Sequence, residues 1–307
     1  MTYVSCSVPE RFVNPLFEVF DGGDFVLSSY RDIEEPFARM RIYFESADAV
    51  EDARRCLQAA IDVVGVDTEI EVGEIADEDW KFAYRRHFKT EPVGKRLLTV
   101  PVWELEEAKA KWSDSGRQML VLDPGMAFGT GKHETTRACL EYIDEILAAL
   151  KASRGEAAAS ATSFLDMGCG SGILSIAAAK LGCSVVKGFD VDREAVDASV
   201  ENAMENGVKV DYAHFALGRK DPLPAALCPV DGNRQFGLVA ANILGPLLIR
   251  FADEIVPYAK SHLILSGILT ELYPEVRAAY ESRGFVELSS KTIGEWTTGL
   301  FSRGEKK

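Results

Sequence analysis

The stretch that most constrains the fold of this chain runs from Phe164 to Lys180, FLDMGCGSGILSIAAAK. Its first four residues read as a short apolar strand, Gly168 to Gly172 as a glycine turn, and Ile173 onward as a helix with apolar positions at helical spacing. Glycines at 168, 170 and 172 let the backbone turn sharply and let a ligand approach it, because no Cβ stands in the way. A dinucleotide site would need G-x-G-x-x-G. Counted from Gly168 and Gly170, the third position is Ile173, so that fingerprint fails. The pattern present is acid-x-G-x-G-x-G, with Asp166 two residues before the first glycine.

That pattern resembles the first motif of methyltransferases that use S-adenosylmethionine. The donor has no phosphates and carries a cationic sulfonium and an ammonium group, so a carboxylate at the mouth of the loop suits its charge. Ser184 to Asp190 reads as the next strand, ending in a carboxylate about 20 residues past the glycines, where nucleotide-binding α/β folds place the acid that holds the ribose hydroxyls. Asp190 is the first candidate for that role and Asp192 the second. The plainer reading makes both of them caps of a helix starting near Arg193, since Asp is a favoured N-cap.

Two domains are the natural expectation for 307 residues. The formal net charge of −14 argues against a general affinity for nucleic acid, which requires basic surface to displace counterions. It fits a protein that receives a basic partner, and colloidal solubility is the plainer explanation. Cysteines at 6, 56, 139, 169, 183 and 228 form no C-x-x-C and no metal-ligand spacing, so neither a disulfide framework nor a metal site is expected and a reducing cytoplasm is. No charged segment followed by an apolar core opens the chain. The longest apolar run, Leu238 to Ile249, is interrupted by Asn242, Gly245 and Pro246 and is too short to span a bilayer, so a soluble, unprocessed protein is expected.

In chain order, residues 3 to 8 read as a strand, 10 to 20 as a short helix, and Phe25-Val26-Leu27 as a strand after the turn signal Asp21-Gly22-Gly23-Asp24. Arg39 to Phe44 alternates as a half-buried strand, residues 48 to 63 carry apolar groups at helical spacing, and 68 to 75 alternate again. The order βαββαβ is the ferredoxin-like arrangement, a small α+β domain over 1–76 with one open sheet face. Without a cluster of His, Cys or paired acids, it is read as a partner-binding domain, with a purely structural role as the alternative. Residues 77–104, with Trp80 and Trp103, read as an interdomain linker, and 105–307 as the second domain.

Asp123 to Thr136 is a glycine- and hydroxyl-rich run before a helix, which suggests a loop folded over a ligand. It is not a phosphate loop, because Gly125 and Gly131-Lys132 are six apart and His133 follows. Thr135 or Thr136 could instead be a simple N-cap. After the small-residue stretch 151–163, strands and helices alternate to the end of the chain, giving an α/β, doubly wound, Rossmann-like sheet whose sites belong at the carboxyl ends of its strands. At one such end stands Asn242, whose side-chain carbonyl can accept from an amine; the alternative is a cap for the helix near Gly245.

Gly125 to Gly131 with His133 and Thr135-Thr136, Asp166 to Gly172, Asp190, Asn242-Ile243-Leu244 and Leu265 to Leu269 together resemble the ribosomal protein L-eleven methyltransferase family. The resemblance covers nearly the whole chain. It implies a class I methyltransferase fold that transfers methyl groups from S-adenosylmethionine, without a metal, to lysine and α-amino groups of a basic ribosomal protein. That substrate would be recognised by the front domain before assembly, with no direct contact to nucleic acid or membrane. Position by position it implies that Thr136, Gly168, Asp190 and Asn242 bind the donor and that Phe128 and Gly129 cover it. Asp166 and Gly170 join them from the motif itself. Lys132 and Glu134 depart from a fixed pattern, and the front domain matches in layout more than in residues. A lysine ammonium has a pKa of about 10.4, so its proton must leave before in-line attack. No side chain is required as a general base, and Asn242 is the candidate that orients the amine as a catalytic residue. A methyltransferase for another protein or a small molecule, or a non-catalytic donor-binding module, are the alternatives.

Overall fold

The computed structural model describes residues 2–9, 12–13, 26–30, 37–44, 50–74, 88–123, 133–155, 157, 161–218, 224, 227–228 and 235–304. The chain forms two compact units, Met1–His87 and Phe88–Lys307.

In the first unit β1 (Thr2–Pro9), β2 (Val26–Tyr30), β3 (Phe37–Phe44) and β4 (Glu71–Glu74) form one antiparallel sheet in the order β2-β3-β1-β4. That is the strand order of a ferredoxin-like sheet. Val4, Cys6 and Val8 of β1 and Met40 and Ile42 of β3 are buried on one face, while on the other Ser7 and Arg39 are exposed and Ser5 is buried. The apolar set packs on Ala53, Leu57, Ala60 and Ile61 of α1 (Val50–Val64), which recur at helical spacing along one stripe. The helix expected over 10–20 lies for the most part outside the described residues.

The second unit begins earlier than the sequence reading placed it. Phe88 onward belongs to it, because β5 (Glu91–Val93) and β6 (Leu97–Pro101) pair with β7 (Gln118–Leu122) in a three-stranded sheet of its own. Side-chain anchors hold the stretch there: Glu104 accepts from the Thr90 N–H at 2.7 Å, and the buried Asp144 accepts from the Lys95 N–H and Arg96 Nε, each at 2.6 Å. Val93, Leu97, Leu98 and Val100 are buried, which an exposed linker would not allow. Residues 77–87 of the expected linker lie outside the described residues.

The main sheet holds seven strands in the order β10-β9-β8-β11-β12-β14-β13. These are β8 (Ser163–Met167), β9 (Val185–Asp190), β10 (Asp211–His214), β11 (Phe236–Asn242), β12 (Ala259–Leu269), β13 (Phe285–Ile293) and β14 (Trp296–Arg303). All pairings from β10 to β12 are parallel, and β14 runs antiparallel to both neighbours. Helices cover both faces. Phe164, Leu238 and Ile264 face a core shared with Leu140, Ile143 and Leu147 of α3 (Glu134–Arg154) and with Ile173 and Ile176 of α4 (Ile173–Lys180). The alternate residues Leu165, Val239 and Leu263 face a second core with Leu248 of α6 (Gly245–Arg250) and with Val276 and Tyr280 of α8 (Tyr273–Glu281). The remaining helices are α2 (Leu105–Trp112), α5 (Arg193–Glu205) and α7 (Ala252–Ile255). After β11 the chain breaks at Phe251 between α6 and α7 and ends in a 3-10 turn at Val256–Tyr258, where Pro257 cannot continue an α-helix. Among the described residues no helix is long and apolar enough to cross a membrane.

Candidate functional site

Strand order reverses at β8, whose neighbours are β9 on one side and β11 on the other. In an open parallel sheet this leaves a crevice outside the carboxyl ends of those strands. The glycine loop lies there. Its glycines take positive φ, +74° at Gly168, +53° at Gly170 and +78° at Gly172. Gly168 and Cys169 both donate backbone N–H groups to the Phe189 carbonyl, at 2.9 and 3.0 Å, tying the loop to the end of β9. Gly168 is also a packing requirement, since a Cβ there would collide with Cγ2 of Ile243.

The acids divide their work. Asp190 Oδ2 accepts from the Gly170 N–H at 2.9 Å and Oδ1 from the Asp192 N–H at 3.0 Å, so its carboxylate is fixed against the loop. Asp192 is the N-cap of α5 and accepts from the Glu194 N–H at 2.9 Å. Of the two acids read as possible caps, only Asp192 caps the helix. Asp166 is fully buried at the end of β8. Its Oδ2 accepts from the Ser175 N–H at 3.1 Å and the Ser175 hydroxyl at 2.7 Å, in the first turn of α4, while Oδ1 has no partner among the described residues. Burial, with a smaller contribution from the charge of Asp190, pushes the Asp166 carboxyl up to about 7 against the two lowering Ser175 hydrogen bonds.

On the other side of the crevice the register pairs Ala241 with Met167 and Asn242 with Ser266, so Asn242 ends β11 beside the start of the glycine loop. Its Nδ2 donates to Oγ1 of the buried Thr136 at 3.5 Å. Its Oδ1 is buried and, among the described residues, has no partner. Thr136 therefore orients the amide and is not the N-cap of α3, a position taken by His133, whose ring Nδ1 accepts from the Thr135 N–H at 3.4 Å. The Ser266 hydroxyl donates to the Thr135 carbonyl at 3.2 Å and shares a hydrogen with Thr298 Oγ1 at 2.6 Å, which fastens the start of α3 to β12 and β14.

Asn242 opens into a cleft of about 330 Å³ walled by Ile243, Leu244, Gly267, His133 and Trp296. The His133 and Trp296 rings meet edge to face with centroids 5.2 Å apart. Gly267 has φ +79° in a bulge of β12, and a Cβ there would strike the Ile243 carbonyl.

Thus Asp166, Gly168, Gly170 and Asp190 form one group around the loop, and Thr136 and Asn242 touch each other beside it. Phe128 and Gly129 lie outside the described residues. Sequence reasoning did not single out Trp296, and it met Ser266 and Gly267 only within Leu265 to Leu269, with no role given to either. Trp296 follows Gly294-Glu295 in a tight turn, where a large aromatic has little reason to stand unless something packs on it. Among the described residues no group of three or more His, Cys, Asp and Glu could hold a metal ion.

The family model for ribosomal protein L11 methyltransferase (PrmA) matches residues 23–303. The ribosomal protein L11 methyltransferase of Geotalea daltonii is 34% identical, the match covering 96% of this chain and 96% of that protein. That of Azotobacter vinelandii is 40% identical over 69% of this chain and 64% of its own length. A ribosomal protein L11 methylase from Lactobacillus delbrueckii subsp. bulgaricus, known as a crystal structure, superposes with a TM-score of 0.57 at 26% identity, covering 71% of this chain and all of that one. With a match running from the front sheet through the last strand, and the glycine loop, Asp190 and Asn242 gathered at one sheet edge, the chain belongs to the ribosomal protein L11 methyltransferase family.

Proposed function

We propose that this methyltransferase carries methyl groups from S-adenosylmethionine to lysine and α-amino groups of a ribosomal protein L11, taken as the free protein in the cytoplasm without nucleic acid. The observation that carries the reading is the pairing of a glycine loop open to close approach with two buried acceptors, Asp166 Oδ1 and Asn242 Oδ1, that lack partners among the described residues. A buried acceptor left unpaired costs about 1–3 kcal/mol, so such atoms mark places where a ligand supplies donors.

The residues fit the donor. Bound, it presents a methyl group on a cationic sulfonium, an ammonium, and ribose hydroxyls. Asp190, already held by two backbone donors, keeps lone pairs for the hydroxyls. Asp166 offers negative charge under the loop, and Gly168 and Gly170 leave space over it. Asn242 gives one of its two Nδ2 hydrogens to Thr136 and keeps Oδ1 as an acceptor without a partner among the described residues. It can take an N–H from the attacking amine and aim the nitrogen lone pair away from itself. The apolar walls disfavour the charged ammonium and so assist loss of its proton to water before attack.

Charge supports the substrate. Residues 1–87 hold 19 Asp and Glu against nine Lys and Arg, a net of −10, whereas residues 88–307 hold 29 against 25, a net of −4. The smaller unit thus carries most of the excess, as suits recognition of a basic protein. Incubation with methyl-labelled donor and purified ribosomal protein L11 tests the reading. Label on L11 amines is expected, and label-free L11 beside a labelled small molecule or other protein would refute it.

A further inference from the structure

The cleft beside Asn242 bears on how many methyls one amine can receive, an inference that rests on the methyl-transfer reading above. A neutral primary amine has two N–H bonds, a monomethyl amine one, a dimethyl amine none. In each transfer the nitrogen lone pair forms the new N–C bond while the C–S bond breaks toward sulfur, and the ammonium product loses its proton to water before the next round. The lone pair must point at the methyl group every time, so only the N–H bonds remain for the protein to hold.

Of the side chains lining the cleft, which include His133 and Thr135, Asn242 carries the buried acceptor that lacks a partner among the described residues. Asn242 Nδ2 donates to Thr136 Oγ1 at 3.5 Å, which leaves Oδ1 as that acceptor. The other walls used here, Ile243, Leu244 and the Trp296 ring, are apolar, with Leu244 62% exposed at the mouth. An incoming methyl that replaces an N–H loses the hydrogen bond but gains apolar contact with these walls. We infer that Asn242 assists the first and second transfers to an amine and contributes nothing to the third, which the apolar wall supports instead.

The test uses the full chain at saturating donor with L11 carrying unmodified, monomethyl- or dimethyl-lysine at one acceptor position, in single turnover. For Asn242→Ala, the rate on unmodified relative to dimethyl-lysine is expected to fall about tenfold from the wild-type ratio, the size of one hydrogen bond. The exposed Leu244→Ser, which does not threaten folding, should move the ratio in the opposite direction by weakening the wall that seats the methyls. Calorimetry with S-adenosylhomocysteine on both variants separates this from loss of donor binding, because a donor-site or structural defect slows all three substrates alike. An equal loss on all three would overturn the inference while leaving the methyltransferase reading standing. So would a wild-type enzyme that labels unmodified lysine but refuses dimethyl-lysine. A wild-type enzyme that labels none of the three would sink both.

Discussion

The two units use their sheets in opposite ways. In the front unit Val4, Cys6, Val8, Met40 and Ile42 pack one face of β1 and β3, while the other carries the exposed Ser7 and Arg39, the half-buried Arg41 and a buried Ser5. In the second unit β8 and β11 are buried on both faces, and Asp166, Asp190 and Asn242 stand at or next to the carboxyl ends of their strands. A sheet sandwiched between helices has nowhere but its edge to place chemistry, and a rigid edge holds reacting groups in register. A half-covered sheet offers area and charge. If the front unit recognises the partner, as proposed, donor chemistry and partner recognition should be open to separate damage.

The largest expected effect strikes the second unit alone. Gly168→Val places a branched side chain at φ +74° and into Ile243 Cγ2, so the loop cannot keep its shape. Donor affinity measured by calorimetry should fall about 100-fold or more, with L11 binding retained. Loss of both together would mean that the two functions are not separable.

The buried Asp166 gives the next effect through pH. Its carboxyl, raised from 3.8 to about 7 by burial, holds its proton more tightly in the folded, donor-free chain than in the unfolded one. The folded state is therefore favoured most below about pH 4, and that advantage is lost as pH rises through about 7. A cationic donor reverses the preference, so donor affinity should rise several-fold between about pH 5 and pH 7. Asp166→Asn should flatten both slopes. A wild-type affinity independent of pH over that range would show that Asp166 does not sense the donor charge.

Asp190→Ala comes third, with donor binding weaker by about 1–3 kcal/mol, the cost of losing a partner for hydrogen-bonding groups. Because Asp190 also accepts from Gly170, Asp190→Asn is the control, keeping one acceptor for the loop. Unchanged affinity in the alanine variant would remove the ribose assignment.

How much of this was legible follows from range. The glycine loop, Asp190 at the end of its strand, and the sheet's alternation of strand and helix depend on neighbours within about 30 residues, and local pattern finds them. The front sheet was equally readable, because period-two alternation survives in β1 and β3. The start of the second unit was not. Val93, Leu97 and Val100 look like an apolar connection until β5 pairs with β6, β6 pairs with β7, and Asp144, some 48 residues on, accepts from Arg96. The cleft was hidden for the same reason: Thr136 meets Asn242 across 106 residues, and Trp296 meets His133 from the far end of the chain. Asn242 was found by its strand position, but its orphaned oxygen and the Thr136 clamp belong to tertiary structure alone.

The smallest expected effect tests the front unit. Asp67, Glu69 and Glu71 are exposed at the approach to β4 and contribute to the unit's net of −10. Exposed charges act on a partner over about 8–10 Å at physiological salt, and they act mainly on the rate of encounter. Replacing all three by Lys changes the unit's charge by six without touching a buried residue. At low salt the KM for L11 should rise about tenfold or less, through slower association, while donor affinity stays at the wild-type value. Raising the salt should shrink the difference between variant and wild type, because screening removes the attraction that the variant lacks. If instead the variant binds L11 as well as wild type at every salt concentration, these acids are a solvated surface, and recognition by the front unit must rest on other contacts. If donor affinity falls as well, the separation of the two units fails from the recognition side.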